Sequence, residues 1–153
     1  MVFLHGSYDP HPEGRRLTPQ PDRAAEWEGL EFVRILERNR PDWAIPHAQA
    51  VFLCEEPDHL DACGAPLDHV VEVSPEGPFS RHDQNWISRI CCLLDDHAPD
   101  HPEIAHTAAA YWAGHPHPDG PVWEIRARAA VVVRARPDLS EVTKSLSETE
   151  MFP

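Results

Sequence analysis

Residues 69–86, HVVEVSPEGPFSRHDQNW, constrain the fold most, because they combine a strand signal, a turn signal and a polar cluster. Val70, Val71 and Val73 are β-branched and predict a strand. Residues 74–78 hold two prolines and a glycine and predict a turn, since proline cannot donate to a central strand ladder. A strand that delivers ionisable groups onto a loop is a common way to build a site, although the same pattern is typical of a solvated helix start capped by its aspartate. The polar residues after the turn are Ser80, Arg81, His82, Asp83, Gln84 and Asn85.

The composition favours a single globular domain. The chain has 153 residues, of which 41% are hydrophobic and 25% charged, and this length can bury a real core. The net charge of −13 disfavours a nucleic-acid partner, because an acidic surface repels phosphate backbones. No apolar run reaches the ~20 residues that span a bilayer, and the first residues lack the basic region of a signal peptide. We therefore expect a cytoplasmic protein without a membrane partner.

The cysteines and histidines do not predict a metal site. The chain has 4 cysteines and 11 histidines, but no CxxC pair and no recognised ligand spacing. Cys91 and Cys92 lie in an apolar run, where cysteine usually behaves as a small buried hydrophobe. We expect no bound metal.

Hydrophobic patterning predicts an α+β domain over residues 1–136 and a mobile tail over residues 137–153. Neither a GxGxxG loop nor a GxxxxGK[ST] loop is present, so a Rossmann fold and a P-loop enzyme both fit poorly. The predicted strands cover residues 1–4, 51–54, 69–73, 122–125 and 129–135, and the predicted helices cover residues 22–38, 83–94 and 100–113.

Four patches of the sequence resemble the ADP-ribosyltransferase fold, and in particular the small bacterial rifampin ADP-ribosyltransferases. They are FLHGS, VFLCEEPDHLDACG, VVEVSPEGPFSRHDQNW and VWEIRARAAVVV, in that order along the chain. The resemblance implies a split β-sheet core with flanking helices that clasps NAD in a cleft. It also implies a transferase that moves ADP-ribose from NAD to a small-molecule or protein acceptor and releases nicotinamide.

The resemblance assigns NAD-binding roles to residues on the first and second predicted strands. His5 would hydrogen-bond the ribose next to nicotinamide, and the backbone of Gly6 would hold the nicotinamide amide with Ser7 beside it. Phe52 stands where relatives carry a tyrosine whose ring stacks on nicotinamide. A phenylalanine can stack in the same way but brings no hydroxyl group.

Two carboxylates are the candidate catalytic residues. Asp83 matches the acidic position after Gly-Pro-Phe, and Glu124 matches a late-strand glutamate that relatives use to hold the ribose hydroxyl or the acceptor. Breaking the nicotinamide–ribose bond creates an oxocarbenium-like centre, which a carboxylate can stabilise. A carboxylate can also deprotonate the incoming nucleophile. Which of the two is catalytic stays open at this point.

Other interpretations remain open. The chain could be a non-catalytic acidic interaction domain of the same fold, such as a toxin or immunity partner, or an enzyme similar to the RNA 2′-phosphotransferases. The site residues also have structural alternatives: His5 could bond a backbone carbonyl, Phe52 could be plain core, and Glu124 could face solvent.

Overall fold

The computed structural model describes residues 1–63 and 65–141. These residues form a mixed α+β structure with a five-stranded antiparallel sheet and four helices. The strands are β1 (Phe3–Ser7), β2 (Arg16–Leu17), β3 (Val51–Cys54), β4 (His69–Asp83) and β5 (Trp123–Ala135). The helices are α1 (Pro21–Glu28), α2 (Glu31–Arg38), α3 (Asn85–Asp96) and α4 (Pro102–Trp112). Single 3₁₀ turns cover His47–Gln49, Pro57–His59 and Pro137–Leu139.

The sheet closes on itself. Its strand order is β2-β5-β3-β1-β4, and β4 also pairs with β5. The β4–β5 ladder is the longest in the sheet, whereas the β1–β3 ladder consists of the single pair Leu4 and Cys54. The strands β1 and β3 therefore part soon after they meet.

The prediction of a turn at residues 74–78 is wrong, because β4 continues through these residues without a break. The β4–β5 register shifts between Glu76 and Phe79, and Gly77 has a φ of 70°. The bulge takes Gly77 and Pro78 out of the ladder, so Pro78 needs no backbone partner, whereas Pro75 stays in register opposite Ala130. The polar cluster that follows consequently lies at the end of a strand rather than on a loop.

The structure changes three further boundaries. The predicted single helix is two helices, because Gly29 ends α1 and the extended Leu30 precedes α2. The predicted break between two strands at residues 126–128 is absent, and β5 runs through it. Arg126 is tolerated inside the strand because the Tyr111 hydroxyl accepts a hydrogen bond from its guanidinium group. The His-Gly-Ser sequence at residues 5–7 lies within β1, not after it.

Three hydrophobic clusters hold the described part of the fold together, and the smallest consists of Leu4, Cys54, Leu60 and Val70. Alternating residues of the strands, including Val71, Val73 and Ile125, fill the space enclosed by the sheet. Residues of α2, α3 and α4, including Ile90 and Tyr111, form a second cluster between the helices. Apolar residues that alternate along the strands thus face the enclosed side, although β5 is buried on both faces from Trp123 to Ala127.

The first residues of the predicted tail pack against the sheet. The Ser140 hydroxyl accepts a hydrogen bond from the Val70 backbone N–H at 3.0 Å, and the Glu141 backbone N–H donates to the Leu67 carbonyl at 2.8 Å. The rest of that predicted segment, residues 142–153, lies outside the described residues. Within the described part of the chain, no helix has both the length and the apolar character that crossing a membrane requires.

Candidate functional site

A cavity of about 660 Å³ opens between β1, β3, β5 and α1. Its volume falls within the range of ~300–1,000 Å³ that is usual for small-molecule sites. Five of the six residues predicted from the sequence line it, and they come from three different strands. They are His5, Gly6, Ser7, Phe52 and Glu124.

The register of β3 and β5 explains why four polar or aromatic side chains share one face. Phe52 pairs with Arg126, and Cys54 pairs with Glu124. Directly opposed residues of antiparallel strands point to the same side, and residues two apart along a strand do so as well. The intervening pair, Leu53 and Ile125, points the other way into the sheet core.

Glu124 is a buried carboxylate held by two side-chain donors. Only 5% of the residue is exposed. Its Oε1 accepts from Gln84 Nε2 at 2.7 Å, and its Oε2 accepts from the Tyr111 hydroxyl at 2.7 Å. Burial raises the pKa of Glu124 above its ordinary value of 4.5, and the two donors and the nearby Arg126 partly oppose this shift.

Arg126 supplies the positive charge beside this carboxylate. It is 1% exposed, and its Nε donates to the Tyr111 hydroxyl at 2.9 Å. Its guanidinium carbon lies 4.9 Å from the centre of the Phe52 ring and 4.7 Å from that of the Trp112 ring. Aromatic faces attract a desolvated cation, which favours the burial of Arg126. Because Arg126 donates to the Tyr111 hydroxyl and that hydroxyl donates to Glu124, the tyrosine links the two charged groups.

His5 is positioned by its neighbouring strand. Its Nδ1 lies 3.1 Å from the Phe52 carbonyl oxygen. A carbonyl only accepts hydrogen bonds, so Nδ1 carries the proton. Burial lowers the pKa of His5 below 6.5, which keeps the ring neutral at pH 7 and leaves Nε2 free to accept a hydrogen bond.

Gly6 is fixed by a close approach of the chain. A Cβ atom at this position would collide with the carbonyl oxygen of Pro66 and touch the side chain of Ala65. Glycine is therefore needed for packing, whatever the backbone binds. The neighbouring Ser7 donates its hydroxyl to the Asp9 carbonyl at 2.6 Å.

Asp83 is the one predicted site residue that does not line the cavity. It is fully buried, and backbone N–H groups occupy both of its oxygens. Oδ1 accepts from Asn85 and Val122 at 3.0 Å each, and Oδ2 accepts from His117 at 2.7 Å. The side chain thus caps the start of α3 and ties it to the loop before β5.

Sequence reasoning missed three residues around Glu124, namely Gln84, Tyr111 and Arg126. The alternation Trp-Glu-Ile-Arg from residue 123 was a signal for Arg126, because it places residues 124 and 126 on one face of a strand. Nothing local marks Tyr111, which looks like any other apolar position of its helix.

No group of three or more histidine, cysteine or acidic side chains within residues 1–63 and 65–141 is arranged to hold a metal ion. A comparison of the chain with protein-family models gives no match, and a comparison with curated proteins gives none either.

Proposed function

We propose that the protein is an NAD-dependent ADP-ribosyltransferase that transfers ADP-ribose to a small-molecule or protein acceptor and releases nicotinamide. One observation carries the proposal. His5, Gly6, Ser7, Phe52 and Glu124 come from three strands, and all line one cavity of about 660 Å³. They are five of the six residues to which the resemblance assigns a role.

The strand geometry supports a split-sheet version of this fold. The β1–β3 ladder consists of the single pair Leu4–Cys54, and residues 5–9 and 50–53 on either side of the gap both line the cavity. A cleft between parted strands lets a flat ring enter beside exposed backbone groups. This is the arrangement that the resemblance implies for nicotinamide.

Glu124 is the carboxylate suited to the reaction. As nicotinamide leaves, positive charge develops on the ribose carbon, and a fixed carboxylate in a dry site stabilises it more strongly than water does. Gln84 and Tyr111 hold the two oxygens in place, so little reorganisation is needed. In the second step the same carboxylate accepts the proton of the attacking acceptor group.

The remaining cavity residues orient NAD. The free Nε2 of His5 accepts a hydrogen bond from a ribose hydroxyl, and the Phe52 ring offers a face for nicotinamide. Arg126 lies against that ring and fixes its orientation. Positioning of this kind lowers the activation free energy, because the reacting groups lose their translational and rotational freedom on binding rather than at the transition state.

The first test is the thermal stability of the protein as NAD is added. We expect a melting temperature that rises with the logarithm of NAD concentration above the dissociation constant, and release of nicotinamide followed by chromatography. Ala24→Trp on the α1 wall of the cavity should reduce the shift. Ala105→Trp on the exposed face of α4 is the matched control and should leave it unchanged.

The same experiment can refute the proposal. No shift and no nicotinamide at millimolar NAD, in a protein that melts cooperatively, would contradict it. A tight protein partner found in addition would favour the acidic interaction domain instead.

A further inference from the structure

Two cysteines of the cavity wall lie in contact. Cys54 is the last residue of β3, and Cys63 follows the 3₁₀ turn Pro57–His59. Their sulfur atoms are 3.6 Å apart, although the residues are 9 positions apart in the sequence. Both are free thiols, and both line the cavity. A disulfide bond has a length of about 2.05 Å, so closing one requires an approach of only about 1.5 Å.

The two thiols are chemically different. The Cys63 S–H donates to the sulfur of Cys54, and the Cys54 S–H donates to the Glu56 carbonyl at 3.2 Å. The bond from Cys63 lowers the pKa of Cys54, whereas the same contact and burial raise the pKa of Cys63. Cys54 is therefore the sulfur that ionises first, and Cys63 is placed to react next.

We propose that Cys54 and Cys63 form an oxidisable dithiol site that a small peroxide converts to a disulfide and that cellular thiols reduce again. The Cys54 thiolate attacks the O–O bond of hydrogen peroxide, giving a sulfenic acid and, after protonation, one water. The sulfur of Cys63 then forms the S–S bond and displaces the sulfenic oxygen, which leaves with the Cys63 proton as a second water. Two thiols and one peroxide thus give one disulfide and two waters.

Access and mobility suit this reaction. Cys54 is 2% exposed but lines the cavity, so a molecule as small as hydrogen peroxide would reach its sulfur from there. Cys63 lies in a loop and is half-buried, so its sulfur can move toward a strand that stays fixed. In a reducing compartment such a pair stays reduced at rest and acts as a sensing site rather than a permanent bond.

The chain contains its own control. Cys91 and Cys92 are also free thiols, and the expectation that they are buried is wrong, because both are exposed on α3. They are adjacent in the sequence, so on a helix their side chains point in different directions. Exposure alone therefore predicts oxidation at Cys91 and Cys92, whereas the geometry predicts a disulfide between Cys54 and Cys63.

The test uses the full chain, fully reduced and then titrated with hydrogen peroxide. We expect an intact mass that falls by two hydrogens and a non-reduced peptide map that joins Cys54 to Cys63. Dithiothreitol should restore the starting mass. The double variant Cys91→Ser with Cys92→Ser should behave in the same way. In Cys63→Ser, Cys54 should stop at the sulfenic acid and react with a dimedone-type probe.

Several outcomes would overturn the proposal. These are oxygen added to Cys91 or Cys92 while Cys54 and Cys63 stay reduced, a disulfide that joins other partners, or identical products from the wild-type protein and Cys63→Ser. Cys63→Ala repeats the test if the serine variant does not fold. No NAD is present in this experiment, so its result is independent of the proposed function.

Discussion

The end of β4 and the cavity each hold a histidine and a buried acid, but their hydrogen bonds differ: His82 is fully buried, whereas His5 is half-buried. At the end of β4, His82 donates from Nδ1 to the Tyr111 carbonyl and accepts at Nε2 from Ser80. Asp83 beside it accepts three backbone N–H groups. In the cavity, His5 makes one hydrogen bond within the described residues and keeps Nε2 free.

This difference separates structural polar groups from candidate chemical ones. A buried group whose hydrogen-bonding capacity is filled by backbone stabilises the fold and has nothing left for a substrate. Glu124 is bonded only by side chains and adjoins open space. The cluster that drew attention in the sequence is thus the structural one, and the cavity pair carries the capacity for chemistry.

The largest expected effect is on stability, at Asp83. Asp83→Ala leaves three backbone N–H groups without their acceptor, and we expect the free energy of unfolding to fall by about 4 kcal/mol. Urea denaturation measures this. Asp119→Ala is the control, because that side chain is 90% exposed and its loss should change stability by less than about 0.5 kcal/mol. A stable Asp83→Ala protein with lost turnover would reverse the comparison.

The next effect is on catalysis, at Glu124. Glu124→Gln keeps the size of the side chain but removes the charge, and we expect nicotinamide release to fall about 100-fold or more, equivalent to about 3 kcal/mol. Stability should fall as well, because the new amide N–H faces a hydrogen-bond donor and the buried Arg126 loses its counter-charge, so turnover is compared per folded protein. Glu76→Gln changes an exposed carboxylate, paired with Arg16, that is not among the cavity residues. Turnover unaffected by Glu124→Gln would remove Glu124 from the mechanism.

The sequence predicted the individual strands and helices around the two sites better than the contacts between them. The strand patterns at β1 and β3 and the helix patterns at α3 and α4 are local, and hydrophobic periodicity is enough to find them. Residues 5–7 and Glu124 were named in advance only through the resemblance, which lies in short patches of sequence; the structure shows that they line one cavity.

The remainder depends on contacts between distant segments. Tyr111 reaches Glu124 only when α4 packs against β5, and Arg126 can sit within a strand only because Tyr111, Trp112 and Phe52 surround it. Likewise, Asp83 looks like a helix cap in the sequence, and its further bonds to the N–H groups of His117 and Val122 could not be foreseen. Local sequence patterns do not show which distant N–H groups will donate hydrogen bonds to a buried carboxylate.

A third effect is the pH dependence of stability, from His82. Burial lowers the pKa of His82 from 6.5 to about 4. Between these values the unfolded chain binds more protons than the folded one, so the contribution is full above pH 6.5 and is lost as the pH falls toward 4. We expect the free energy of unfolding to fall by about 3 kcal/mol through His82 over this pH range.

The variant His82→Asn isolates the contribution of His82, because an amide can still donate to the Tyr111 carbonyl but does not titrate. His5 and His47, whose pKa values burial also lowers, that of His47 to about 4, remain and contribute the residual slope. Denaturation curves between pH 4 and 7 measure both. The exposed His106→Asn is the control, and a slope equal in His82→Asn and wild type would show that His82 is not held neutral.

The smallest effect is the one that tests His5 most directly. The variant His5→Asn retains a short amide that can donate to the Phe52 carbonyl, but it lacks an acceptor at the position of Nε2. We expect the fold to survive and the dissociation constant for NAD to rise about tenfold, equivalent to about 1.4 kcal/mol. Calorimetric titration measures the affinity, with His106→Asn as the control. If His5→Asn binds NAD as the wild type does while His5→Ala unfolds, then the bond to the Phe52 carbonyl is the whole role of His5. In that case His5 would belong with His82 and Asp83 among the structural groups, and Glu124 would be the only one of these four groups left with a chemical role.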